Sequence, residues 1–213
     1  LAEGELTMSE EGVQQGSCCS PIFSNVVAHH VIDEWLEDTV EPLMKGTMKA
    51  FRYADDLVIC CQYEEDAIRV RKALGKRLGK YKLNLNEDKT KMVKFSKKKS
   101  RQGIKQETFD FLGFTFYLGR SLKGFIIPKA KTCGKRYRSK LNKVKDWARQ
   151  IRNNEPLRII WKTFCAKLRG HVRYYGVSFN LKGVRNFLRE SKKIMFKWLN
   201  RRSQRKSFDW KQF

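Results

Sequence analysis

Asp55 and Asp56 are neighbours within Phe51-Arg52-Tyr53-Ala54-Asp55-Asp56-Leu57-Val58-Ile59-Cys60-Cys61. Two carboxylates a few ångströms apart repel unless a cation neutralises them. Mg²⁺ suits such a pair, because it takes one or two carboxylates and fills its remaining positions with water and substrate phosphates. A bare Asp-Asp dipeptide is more often a solvated turn, so the flanks decide. Here aromatic and β-branched residues stand on both sides, the pattern of a β-hairpin with the aspartates at its tip. The expectation is a metal-bearing tip that serves phosphate chemistry.

Other reactive side chains are less promising. His29 and His30 are adjacent on a predicted helix, so their side chains diverge by roughly 100° and cannot chelate one ion. His171 stands alone, and all three read as packing or surface residues. The six cysteines, Cys18, Cys19, Cys60, Cys61, Cys133 and Cys165, form no C-x-x-C pair and have no His at zinc-ligand spacing. They read as small buried hydrophobes of a reducing, cytoplasmic protein. The acidic stretch Leu1 to Glu11 has neither the basic start nor the apolar run of a secretion signal.

The elements that must hold the acid pair follow from periodicity. Ser20 as cap, Pro21 at the first helical position and the series Ile22, Val26, Ile32, Trp35, Leu36 predict one long helix. Glu64 to Lys82 is a second, with Ala67, Val70, Leu74, Leu78 and Tyr81 on one stripe, acids in its first turn and bases in its last. Leu83 to Phe95 reads as loop and strand, and Lys97 to Gln106 as a basic turn. Phe109 to Ile127, punctuated by Gly113, Gly119 and Gly124, predicts two or three short strands. Three helical stripes close the chain: Tyr137 to Ile151, then Ile160 to Tyr175 opened by Pro156, then Val184 to Leu199 capped by Asn180. They predict a three-helix bundle with basic outward faces.

Charge divides the chain into two parts with different tasks. Overall, 46 Lys and Arg against 22 Asp and Glu leave a formal net charge of +24. Residues 1–90 carry 11 basic and 16 acidic side chains, net −5, whereas residues 91–213 carry 35 and 6, net +29. A mildly acidic half suits a divalent cation. A half at +29 suits a phosphate backbone, whose binding weakens steeply with salt. With 41% hydrophobic and 12% aromatic residues, the chain can fold, which excludes a disordered basic tail. No apolar run approaches a membrane span of about 18 residues, since Ser20 to Leu36 is interrupted by Asn25, both histidines, Asp33 and Glu34.

Tyr53-Ala54-Asp55-Asp56 is the Y-x-D-D signature of reverse transcriptases, and the chain resembles the reverse transcriptase-maturase encoded by group II introns. Further segments agree in order. Gly12-Val13-Gln14-Gln15-Gly16 and Ser20-Pro21-Ile22-Phe23-Ser24-Asn25 are similar to G-x-P-Q-G-x-x-x-S-P-x-x-x-N, with Gln14 replacing the family's Pro. Leu83-Asn84-Leu85-Asn86-Glu87-Asp88-Lys89-Thr90 resembles L-x-L-N-x-x-K-T, and Phe109-Asp110-Phe111-Leu112-Gly113-Phe114 resembles F-x-F-L-G-F. Leu168-Arg169-Gly170, Tyr174-Tyr175 and Asn200-Arg201-Arg202-Ser203-Gln204 resemble the thumb, or maturase domain X.

The resemblance implies an α+β fold: a partial polymerase palm, an antiparallel sheet with packed helices, over residues 1–128, then an all-α three-helix thumb over 129–213. It implies RNA-directed DNA polymerase activity by two-metal nucleotidyl transfer to a primer 3′ hydroxyl, with Mg²⁺ at Asp55 and Asp56. It further implies Lys89 beside the departing pyrophosphate as general acid or charge clamp, and Gln15 and Gly16 in the nucleotide pocket. Tyr53 would lie under the primer end. Phe111, Leu112 and Gly113 would grip the primer, while Arg169, Arg201 and Arg202 would bind intron RNA. The implied partners are RNA template or intron RNA, a DNA primer or RNA–DNA hybrid, and dNTP, with no membrane; a homodimer stays open. The family's other catalytic aspartate and its basic fingers precede the G-x-P-Q-G segment, so this piece alone is expected to bind RNA without polymerising. A non-enzymatic RNA-binding splicing factor is the alternative. An RNA-dependent RNA polymerase fits less well, because Tyr53-Ala54 stands where G-D-D would begin.

Overall fold

A computed structural model describes residues 18–202 and 209–211. The chain is α+β, with two small antiparallel sheets and six α-helices among the described residues. It forms two compact units, Leu1–Met92 and Val93–Phe213.

In the first unit, helix α1 (Ser20–Ala28) runs on through π-helical turns at His29–Asp33 and Trp35–Val40 into a 3₁₀ turn at Glu41–Leu43. One long helical segment is therefore present, but Cys19 rather than Ser20 occupies the N-cap position, and it makes no side-chain capping bond. The expected stripe is also corrected. Ile22 and Val26 are exposed, and the buried positions are Val31, Leu36 and Val40, spaced by five and then four residues. The i→i+5 turns rotate less per residue than an α-helix, so a 3.6-residue template loses the register.

Strands β1 (Met48–Tyr53) and β2 (Asp56–Cys61) form the predicted hairpin, in register from Met48 opposite Cys61 to Tyr53 opposite Asp56. Helix α2 (Glu64–Lys80) buries Val70, Leu74 and Leu78. Each such side chain contributes about 1.5–3 kcal/mol on leaving water. Val70 packs with Leu36, Val40 and Met48; Leu74 and Leu78 pack with Val31. The helix ends two residues before the expected Lys82. Lys82 adopts φ +58, while the Leu83 and Lys82 amides bond the carbonyls of Leu78 and Gly79, a Schellman end.

The second unit opens with α3 (Lys97–Arg101), a single helical turn where a plain basic turn was expected. The overlooked signal is Ser96, whose Oγ accepts the Lys99 amide at 3.3 Å as an N-cap. Between Leu83 and Phe95 no strand forms. The two units part within this stretch, and a lone apolar run without a pairing edge has no ladder to join. Strands β3 (Phe109–Phe111), β4 (Phe114–Arg120) and β5 (Ile126–Thr132) make an antiparallel sheet in that order. Pro128 lies inside β5, which is tolerated because β5 is an edge strand.

The three expected helices are α4 (Gly134–Ile151), α5 (Leu157–Tyr175) and α6 (Leu181–Leu199). Val144, Ala148, Ile160, Phe164, Phe187, Met195 and Leu199 form their core. Asn180 stands at the α6 N-cap but does not cap with its side chain. Its amide instead accepts the Thr132 N–H at 2.9 Å and donates to Thr132 Oγ1 and the Tyr175 carbonyl at 2.9 and 2.8 Å. The expectation of buried cysteines holds for Cys133 alone: Cys61 and Cys165 are half-buried, and Cys18, Cys19 and Cys60 are exposed. No helix among the described residues is long and apolar enough to cross a membrane.

Candidate active site and nucleic-acid interface

The β1–β2 connection is a two-residue turn, Ala54-Asp55, closed by Tyr53 paired with Asp56. Asp55 therefore sits on the turn and Asp56 opens β2. Ala54 adopts φ +53 at the first central position, which in tight hairpins usually takes Gly. A non-glycine residue there carries about 1–2 kcal/mol of backbone strain. Tyr53, Asp55 and Asp56 are all exposed. Among the described residues, neither carboxylate has a side-chain hydrogen bond or ion pair, and no three His, Cys, Asp or Glu gather into a metal cluster.

Arg52 braces this turn. Its Nε and Nη2 donate to Asp33 Oδ1 and Oδ2 at 2.7 and 2.6 Å, and its Nη1 donates to Asn25 Oδ1 at 3.0 Å and the Ala54 carbonyl at 2.9 Å. The guanidinium holds the Asp33 carboxyl below its ordinary range, against a smaller opposing effect of burial. In the sequence, Arg52 stands only within the Phe51–Asp56 motif. A usable signal existed: residues 48, 50 and 52 share one face of β1, and a strand that buries Met48 on that face must supply an acid for Arg52. His29 and His30 lie against the same helical segment's carboxylates, His29 Nδ1 at 3.5 Å from Asp33 and His30 Nδ1 at 2.7 Å from Glu34. Both are surface residues, as expected.

Lys89 is exposed on the turn that follows Asn86, whose carbonyl and Oδ1 accept the Lys89 amide at 3.2 and 3.1 Å. Among the described residues its ammonium makes no bond to Asp55 or Asp56. Gln15 and Gly16 lie outside the described residues.

The second unit contains the Phe111-Leu112-Gly113-Phe114 turn. Leu112 and Gly113 adopt φ +49 and +78, both positive, which defines a type I′ hairpin. Helix α5 holds it: Tyr174 Oη donates to the Leu112 carbonyl at 2.8 Å, and a Cβ on Gly113 would meet Tyr175 Oη at 2.8 Å. The Cys133 amide donates to the Gly113 carbonyl at 3.0 Å. Phe114 stacks on Tyr174, and Lys140 lies over both tyrosines at 5.7 and 4.7 Å from the ring centres. Burial, then the neighbouring Arg136 and Lys143, push the Lys140 ammonium below its ordinary value.

Arg169 is exposed on α5. Arg201 lies over the Trp198 ring at 5.4 Å, and Arg202 donates to the Glu155 carbonyl at 3.3 Å. The last two contacts partly commit Arg201 and Arg202 to the end of the helical unit. His171 is a packing residue, stacked 3.6 Å from Phe187, with neither ring nitrogen hydrogen-bonded among the described residues; burial first, and Lys140 second, lower its pKa to about 4.

The family model described as reverse transcriptase (RNA-dependent DNA polymerase) matches residues 2–116, and the chain belongs to that family. No curated protein matches it. Members of the family are RNA-directed DNA polymerases that work on a template, a primer and nucleotides with divalent metal.

Proposed function

We propose that the chain contributes the C-terminal part of the palm and the thumb of a group II intron reverse transcriptase, with intron RNA binding and a splicing role. The observation that carries the catalytic reading is Asp55 and Asp56 presented, exposed and unbonded among the described residues, on a hairpin turn of the matched family domain. Free carboxylate oxygens are the donors Mg²⁺ takes, so these residues fit the ion and would hold it. When bound, Mg²⁺ would neutralise charge on the primer hydroxyl and on the phosphates.

The chain's own residues have distinct tasks in this reading. Tyr53 supports the primer end. Phe111, Leu112 and Gly113 position the primer strand without taking part in chemistry. Lys89 protonates or neutralises the departing pyrophosphate. Gln15 and Gly16 line the nucleotide pocket. Arg169, Arg201 and Arg202 contact intron RNA, within a half of net charge +29. Functionally, residues 1–128 serve as palm and 129–213 as thumb, although β3–β5 share a compact unit with the helices.

Primer extension on an RNA template tests the reading, together with a gel-shift assay for RNA. Two-metal chemistry asks for a further carboxylate, so the chain is assayed alone and joined to a segment carrying the family's other aspartate. Alone it is expected to bind RNA or hybrid without extension. In the joined protein, Asp55→Ala abolishes extension and leaves RNA binding intact. Extension unchanged by Asp55→Ala excludes the polymerase assignment and favours an RNA-binding splicing factor.

A further inference from the structure

The Asp55 turn is connected to helix α1 through one side chain. The Ala54 carbonyl that accepts from Arg52 belongs to the peptide that continues as the Asp55 amide. Because that peptide is planar, holding its oxygen also holds the Asp55 amide nitrogen and Cα, from which the Asp55 side chain departs. The guanidinium is itself planar and rigid, and four of its five N–H donors are used, two on Asp33, one on Asn25 and one on Ala54. It cannot turn toward one partner without leaving another.

The helix is shaped for this grip. Asn25 and Asp33 are eight residues apart, and on an ideal α-helix they would diverge by about 80°. The π-helical turn at His29–Asp33 rotates less per residue and brings both side chains to Arg52. Asn25 ends the S-P-x-x-x-N segment and Arg52 precedes Tyr53-Ala54-Asp55-Asp56, so two separate motifs are tied by one residue.

We propose that Arg52 is a positioning residue that transmits the placement of α1 to the Ala54–Asp55 peptide and so aims the Asp55 carboxylate. The inference rests on the reading of Asp55 as a metal ligand. It also gives the π-helical turn a purpose, which is to face Asn25 and Asp33 the same way.

The test uses the ¹⁵N-labelled chain and two measurements, amide hydrogen exchange at Asp55 and Asp56, and broadening of those amide signals by Mn²⁺ alone. Arg52→Lys keeps the charge but loses the planar fork; it is expected to speed exchange about tenfold and raise the Mn²⁺ midpoint about fivefold. Adding Ala54→Gly restores at least half of both losses, because Gly holds positive φ unaided. Val70→Ala, a cavity in the core of the same unit, lowers thermal stability and leaves both readouts in place. Asn25→Ala, at an exposed position, is expected to shift exchange about threefold and serves if Arg52→Lys does not fold. Wild-type behaviour of Arg52→Lys at Asp55 and Asp56, or an equal effect of Val70→Ala, overturns the proposal. Absence of Mn²⁺ broadening in the wild type sinks the metal reading instead, and exchange alone then decides whether Arg52 holds the turn.

Discussion

Replacing Gly113 by Ala perturbs the β3–β4 turn in two separable ways. The first is conformational. At φ +78 an alanine meets the left-handed penalty of about 1–2 kcal/mol, offset by roughly 0.4–1 kcal/mol because alanine also stiffens the unfolded chain. The second is steric: the new Cβ would lie 2.8 Å from Tyr175 Oη, and that ring is only 2% exposed, packed between Phe114, His171 and Tyr174. It has nowhere to retreat, and overpacking of this kind costs about 1–3 kcal/mol. The expected loss is therefore about 2–4 kcal/mol, a fall in melting temperature of about 5–10 °C for a chain of this size. Gly124 supplies the internal control, since it shares the left-handed backbone at φ +81 but has nothing within 4 Å of a Cβ. Gly124→Ala should cost about 1 kcal/mol or less. Thermal and urea unfolding of both variants measures the difference. Equal losses would refute the claim that α5 is packed against the turn.

Other outcomes follow from the same geometry. Tyr174→Phe removes the bond to the Leu112 carbonyl while keeping the stack on Phe114; at a site half open to water it should cost about 0.5–1 kcal/mol in urea unfolding. His171 predicts an acid-side loss of stability. Its pKa is lowered to about 4 in the folded chain from an ordinary 6.5, so between these values the unfolded chain binds more protons. Stability is fully present above pH 6.5 and declines as pH falls toward 4, by about 3 kcal/mol in all. His171→Phe, which preserves the stack on Phe187, should flatten that part of a stability–pH curve; an unchanged slope would place the titrating group elsewhere.

Local patterns carried much of the fold. The hairpin around Asp55 and Asp56 was legible because aromatic and β-branched residues bracket a polar pair, and α2 because its acids, bases and apolar stripe all agree on one helix. The three terminal helices were visible for the same reason, with Phe164, Phe187 and Met195 meeting at their expected positions. Signals confined to a few residues fared worse, as Ser96 shows: a single cap before five residues does not produce a periodicity.

What sequence alone determined here is the inventory and its order: an acid pair between apolar strands, a turn at Gly113, and a basic helical half. These depend on neighbours along the chain, and local sterics and spacing decide them. Tertiary structure decided which distant groups meet. Asn25 and Asp33 meet at Arg52 because the π-helical turn after α1 alters the rotation of the helical segment, and Asn180 leaves its helix end to bind Thr132 and Tyr175. Such choices depend on the burial of polar groups, which must find partners wherever the fold brings them, at separations no local pattern encodes.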